Sequence, residues 1–286
     1  MDRLCQEQLR RNVEADDAWA LYEPHRTRVT QLLLNARTPS ATRLCLLGAG
    51  NLNDFDLAAL MSVFSELVVV DVDADSLQRG LTRQGFAHDA RLQVIAPADV
   101  TGIFTELSSM MSGQSMQTEQ PPSDELIERC LITLQQPPNL GLSAPCGVVA
   151  SVGLLTQLID AVVKSVGESH PRFWDVVSAV RLQHLLLMLE LTQATGAAVL
   201  ITEIVSSDSC PTLNTINEAA LKSLLTKEIA ARNFFTGTNP AALRQLLQTE
   251  PRFTSQLAHV EFGSPWRWSF IARIYAVYAV VMRKHA

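Results

Sequence analysis

One stretch, Arg43 to Asp73, constrains this chain more than any other. It reads R-L-C-L-L-G-A-G-N-L-N-D-F-D-L-A-A-L-M-S-V-F-S-E-L-V-V-V-D-V-D. Arg43 to Leu47 is a short apolar run that stops at glycine, the pattern of a parallel strand buried on both faces. Gly48-Ala49-Gly50 follows as a tight turn. Asp54 is placed to cap a helix whose apolar positions Phe55, Leu57, Leu60, Met61 and Phe64 recur at helical spacing. Leu67 to Val70 reads as a second buried strand, and it ends on Asp71. Strand, glycine turn, helix, strand and acid make one βαβ unit, whose ligand edge is the carboxyl end of the strands.

Each part has its own physical reason. Gly48 and Gly50 let the backbone approach a ligand closely and supply unusual φ/ψ. A helix start leaves unpaired N–H groups facing the same place. Asp71 follows Gly48 by 23 residues, near the roughly 20-residue offset at which an acid meets ribose hydroxyls. The competing reading is an ordinary α/β unit with a glycine turn and no ligand. A dinucleotide fingerprint G-x-G-x-x-G would need glycine at position 53, where the chain has Asn53.

The segments L-L-G-A-G-N at 46–51 and V-V-V-D-V-D at 68–73 resemble motifs I and II of class I S-adenosylmethionine-dependent methyltransferases. The resemblance implies a Rossmann-like α/β fold. It also implies a glycine turn (Gly48, Ala49, Gly50) facing the methionine part of the cofactor, and Asp71, with Val72, at the ribose. The third glycine of G-x-G-x-G would be residue 52, which is Leu52; Asn51, Asn53 and Asp54 are polar groups able to replace its contacts. A third strand, Leu92 to Ile95, runs toward Asp99 and Val100, which the resemblance places at the adenine; as a residue type alone, Asp99 reads equally as a turn or helix cap. The fourth strand, Gly147 to Val152, ends at Ser151 and Val152, followed by Gly153, Leu154 and Gln157, where the family faces the transferable methyl group. N-P-P-Y and D-P-P-Y are absent there, which disfavours the amino-methylating nucleic-acid enzymes.

With 286 residues, 47% of them hydrophobic, the chain can bury the core of one large α/β domain with additions. A net charge of −6 argues against a broad nucleic-acid footprint. The start of the chain carries no signal-peptide pattern, and the longest apolar stretch, Ile271 to Met282, contains Arg273 and is too short to span a bilayer. Five scattered cysteines without a C-x-x-C fit a reduced, cytoplasmic setting. Metal-ligand spacing and G-x-S-x-G are also absent.

Residues 1–37 read as a helical segment, broken near Pro24, and 38–286 as the Rossmann-like domain. The segment carries Tyr22-Glu23-Pro24-His25-Arg26. The resemblance implies that such a segment closes over the cofactor. Tyr22, His25 and Arg26 are then candidates for an acceptor pocket, with His25, Tyr22 and His184 as candidate bases and Arg26, Leu154 and Gln157 as substrate contacts. The alternative is a docking helix whose polar residues face water. Ser108 to Asp124 reads as a loop. Phe173 to Thr195 reads as a long helix, Ala197 to Ile204 as a fifth strand, and Leu257 to Phe262 and Arg267 to Arg283 as a terminal antiparallel pair. The expectation is a sheet of seven strands, six parallel and one antiparallel, with helices on both faces.

The functional expectation is methyl transfer from S-adenosylmethionine to a small-molecule acceptor. It stands against a nicotinamide-dependent oxidoreductase and against a cofactor-binding scaffold without transferase activity. Methyl transfer from a sulfonium mainly requires alignment and exclusion of water, so the lack of a triad or metal cluster does not count against it.

Overall fold

The computed structural model describes residues 3–113 and 122–286. In chain order the elements are α1 (Arg3–Glu14), α2 (Glu23–Ala36), β1 (Arg43–Leu47), α3 (Leu57–Met61), β2 (Glu66–Val70), α4 (Ala74–Arg83), β3 (Leu92–Ile95), α5 (Phe104–Gly113), α6 (Asp124–Thr133), β4 (Cys146–Val152) and α7 (Leu154–Val166). Then come α8 (Phe173–Leu191), β5 (Thr192–Ser206), α9 (Glu218–Ala230), α10 (Pro240–Thr249), β6 (Leu257–Phe262), β7 (Trp266–Phe270) and β8 (Arg273–Lys284). The order across the sheet is β3-β2-β1-β4-β5-β8-β6. β1 pairs in parallel with β2 and β4, and β8 runs antiparallel to β5, β6 and β7.

The sheet is buried on both faces, as the apolar strand runs require. Leu44 and Leu46 of β1 point into one core with Leu33, Phe55 and Phe64; Cys45 and Leu47 point into the other with Val162, Phe173 and Leu187. All of these side chains are buried. Burying a Leu or Phe side chain fully contributes about 1.5–3 kcal/mol, so the two cores fix which way every strand faces.

The C-terminal pair differs in detail from the sequence reading. Arg267–Arg283 is not one strand: it reverses at Ile271-Ala272 into β7 and β8, with Ile271 at φ 49°. β6 and β7 pair with successive parts of β8 along one edge, Phe262 opposite Val280 and Trp266 opposite Val277. Three residues, Gly263 to Pro265, thus oppose two, Tyr278 and Ala279, so the expected turn is a bulge within one broken strand line. Counted that way, the sheet is the seven-stranded, mostly parallel one that the sequence predicts.

Several boundaries also move. Pro24 sits in the first turn of α2 rather than breaking a helix, where its missing N–H costs nothing. The cap of α3 is Asp56, whose carboxylate accepts from Ala59 N at 3.0 Å, not Asp54. Asp73 caps α4, its carboxylate accepting from Ser76 N. α8 ends at Leu191, and β5 starts at Thr192 with an irregularity before Gly196. Of the loop expected over 108–124, residues 108–113 continue α5, and 114–121 lie outside the described residues.

Candidate active site

The glycine turn is built by main-chain bonds across the sheet edge. Gly48 N and Ala49 N both donate to Val70 O, at 2.9 and 3.1 Å, so the end of β1 is clamped to the end of β2. Gly48 and Gly50 take φ 66° and 50°, values open to glycine at little cost. Gly50 N then donates to Asp71 Oδ2 at 2.7 Å, and Asp73 N donates to Asp71 Oδ1 at 2.8 Å. Burial pushes the Asp71 carboxyl up to about 6, against the lowering effect of these amides.

Leu52, at the position of the missing third glycine, has φ 59° and is fully buried. The loop therefore keeps a glycine-type backbone there with a leucine side chain. A left-handed conformation costs an L-residue roughly 1–2 kcal/mol, and burying the leucine offsets it. The loop is also strapped from outside by α4. Gln84 donates to Leu52 O and Phe55 O, Arg83 donates to Asn51 O, and Gly80 lies so close that a Cβ would fall 2.4 Å from Asn51 O.

Asn51 and Asn53, two of the polar residues expected to replace the third glycine, also hold the N-terminal segment. Asn51 Nδ2 donates to Asn12 O at 3.2 Å, Asn53 Nδ2 donates to Ala15 O at 2.6 Å, and Asn12 Nδ2 donates to Asp73 Oδ2 at 2.9 Å. Thus α1 and the turn after it lie against the glycine loop, with Lys164 of α7 paired to Glu7 and Asp160. Asn53 is fully buried and lines neither cavity described next.

Two adjoining cavities open at the carboxyl ends of β1, β2, β4 and β5. The first is a slot between Asp71, Val72, Asp99, Val100, Phe104 and Leu158. The second, of about 880 Å³, runs from Gly48, Ala49, Gly50 and Asn51 past Val152 and Gly153 to Glu203 and the aromatic residues of β7 and β8. Gly48 and Gln157 border both. Leu154 lines the slot, and its side chain lies 2.9 Å from where a Cβ on Gly48 would sit. Asp99 accepts from Thr101 N and Oγ1 and from Phe104 N at 2.6–2.8 Å, so it caps its own loop while facing the slot.

The candidate bases separate. Tyr22 lines the large cavity, and its phenol is pushed far up by burial and then by the carboxylate of Asp54, so it stays neutral. His25 lies one layer behind, stacked on Trp268 at 4.5 Å, accepting from Trp266 Nε1 at 3.1 Å and 3.4 Å from Asp54 Oδ1. Arg26 is buried, with its guanidinium 3.5 Å over the Trp19 ring and donating to Trp19 O and Asn53 O. Neither His25 nor Arg26 borders either of these two cavities. His184 is buried in α8 beside Ser151 Oγ at 2.8 Å; both are fully buried and neither borders these two cavities. Burial lowers His184 to about 4.

Sequence reading missed Glu203, Thr156, Trp268 and Tyr275. Glu203 is buried on β5, accepts from Thr156 Oγ1, and has Oε1 3.1 Å from where a Cβ on Gly153 would lie. The signal for it was present: it is the one acid in the apolar run A-A-V-L-I-T-E-I. The aromatic residues of 266–278 read only as strand formers, because nothing local shows that their faces border a cavity.

Among the described residues no group of acidic, His and Cys side chains could hold a metal ion, and no helix is long and apolar enough to cross a membrane. The strand order, with a reversed strand between the fifth and sixth parallel positions and a glycine turn facing Asp71, is the Rossmann-like methyltransferase fold. No protein-family model and no curated protein matches the sequence. Among solved structures, the chain is similar to the N-methyltransferase NodS from Bradyrhizobium japonicum WM9 in complex with S-adenosyl-l-homocysteine, at 12% identity over 99% of both chains and a TM-score of 0.48. It is also similar to an O-methyltransferase family protein from Burkholderia thailandensis, at 11% identity over 96% of this chain and 60% of that one, TM-score 0.46. A third is an rRNA methylase from Streptococcus thermophilus, at 9% identity over 90% and 93%, TM-score 0.40.

Proposed function

We propose that the chain binds S-adenosylmethionine in the slot and glycine turn, and transfers its methyl group to a small molecule in the large cavity. The observation that carries this reading is that the two spaces adjoin at Gly48, with a buried carboxylate on one side and a large concave cavity on the other. The residues present fit the cofactor chemically. Asp71 offers acceptor oxygens for vicinal hydroxyls, and Val72, Val100, Phe104 and Leu158 give an apolar slot for a flat ring. Asp99 faces that slot as a polar group for the ring amine. The Gly48–Gly50 turn and the Val152–Gly153 strand end border the methionine side. When bound, the cofactor supplies an already activated methyl group. The chain's own work is to hold the acceptor in line with that methyl group, which a concave cavity beside the glycine turn suits.

A net charge of −6 and a concave acceptor site favour a small molecule over a nucleic acid. Calorimetric titration with S-adenosylhomocysteine tests the reading. Binding is expected, and Asp71→Ala is expected to weaken it roughly ten- to a hundredfold, the equivalent of about 1.5–3 kcal/mol for a hydrogen bond to a charged group. Binding of NADH in place of S-adenosylhomocysteine would overturn it.

A further inference from the structure

We infer that the acceptor is a cationic amine, held against an aromatic wall in the large cavity and relieved of a proton by Glu203. This rests on the methyl-transfer reading above.

The wall is continuous. Tyr22 and Trp268 meet edge to face at 5.5 Å, Trp268 meets Phe270 at 5.3 Å and Tyr275 at 5.5 Å, and Tyr275 meets Phe235 at 6.1 Å. All five residues border the cavity. Rings packed only against one another would form ordinary core. Rings lining a cavity of about 880 Å³ can offer their electron-rich faces to whatever enters. Such a surface attracts ammonium groups, most strongly where water is excluded.

The charges agree. Among the described residues, carboxylates outnumber Lys and Arg side chains along this cavity by seven to three. Each of the three cations is already paired with a carboxylate of the same wall: Arg10 with Glu14 at 3.2 Å, Lys164 with Asp160 at 2.8 Å, Arg273 with Asp208 at 2.8 Å. Among the described residues an anionic acceptor would find no uncommitted guanidinium along this wall, since Arg26 is stacked on Trp19 outside the cavity. An ammonium would find a surplus of negative charge.

Glu203 is the buried carboxylate on the cavity wall nearest the end of the fourth strand. It borders the cavity beside Gly153, at the end of the strand next to the glycine turn, while Tyr22 across from it remains a neutral phenol. The ammonium gives one proton to a Glu203 carboxylate oxygen and becomes a neutral amine. Its lone pair forms the new N–C bond as the methyl–sulfur bond breaks, sulfur keeping the bonding pair. The product nitrogen carries the positive charge, and the proton on Glu203 leaves to water.

The test is calorimetry on the full chain saturated with S-adenosylhomocysteine, using choline and its uncharged isostere 3,3-dimethyl-1-butanol as probes. Choline is expected to bind at least tenfold more tightly than the alcohol. Glu203→Gln and Tyr275→Leu are each expected to weaken choline about tenfold, with S-adenosylhomocysteine affinity held and melting temperature measured alongside to confirm folding. Equal binding of the two probes, or tighter binding of the matching anion 3,3-dimethylbutyrate, would overturn the inference. So would a Glu203→Gln variant that loses S-adenosylhomocysteine but keeps choline, because the carboxylate would then serve the cofactor. Failure of S-adenosylhomocysteine to bind at all would instead strike the methyl-transfer reading, and choline binding without it is measured separately.

Discussion

The backbone N–H of Gly50 donates to Asp71 Oδ2 at 2.7 Å, joining the glycine turn after the first strand to the acid after the second. The two residues lie 21 apart in the chain and form one unit in space. A change in the charge of Asp71 therefore acts on the turn and on any hydroxyl the acid would hold.

Asp71 titrates near 6, raised by burial. The carboxylate, not the acid, accepts on both oxygens, so affinity for S-adenosylhomocysteine is expected to be full above pH 7 and to fall as pH drops through 6. At pH 5 about nine-tenths of the free protein carries the proton, giving roughly a tenfold loss. Asp71→Asn should bind weakly and without that pH dependence. Titrations at pH 5 and 8 check this; a wild-type curve as flat as the variant's would refute it.

Leu52→Gly restores the glycine expected at that position and relieves a φ of 59°. The relief is about 1–2 kcal/mol. Emptying a fully buried leucine site costs about 2–5 kcal/mol. At the middle of both ranges lost packing outweighs the relieved backbone, so the variant is expected to lose about 2 kcal/mol, read as a lower urea midpoint. A stabilised variant would show that the side chain is not what holds the turn.

His25 is sandwiched rather than poised. His25→Ala removes the acceptor of a buried indole N–H and leaves a gap beside Trp268. We expect a loss of about 2–4 kcal/mol in denaturant unfolding. Arg26→Ala should also destabilise, by releasing Trp19 O and Asn53 O. Full stability in His25→Ala together with loss of turnover would reinstate His25 as a direct participant.

His184 is held neutral, with its titration lowered from 6.5 to about 4 by burial. Only the unfolded chain takes up the proton between those values. His184 thus contributes stability that is complete above pH 6.5 and is lost as pH falls toward 4, by about 3 kcal/mol. His184→Gln keeps a partner for Ser151 and removes the titration. Its stability should fall less steeply than wild type between pH 6.5 and 4, and parallel curves would rule the assignment out.

The sequence by itself determined the sheet and its ligand edge. Arg43–Leu47 and Leu67–Val70 are apolar runs too short and too uniform to be anything but strands buried on two faces. Gly48 and Gly50 mark the turn between the first strand and its helix, and Asp71 closes the unit. These are local patterns, set by side-chain period and backbone freedom within a few residues. What fills the space beyond that edge was decided only in three dimensions. Tyr22, Glu203 and Trp268 border one cavity from three distant parts of the chain, whereas His25 and Arg26, in the same short cluster as Tyr22, turn away into packing. Residue type cannot separate these outcomes, because the face a helix presents depends on what packs against it. Here that is the β7–β8 hairpin, whose Trp266 and Trp268 take up His25 and leave Tyr22 at the cavity wall.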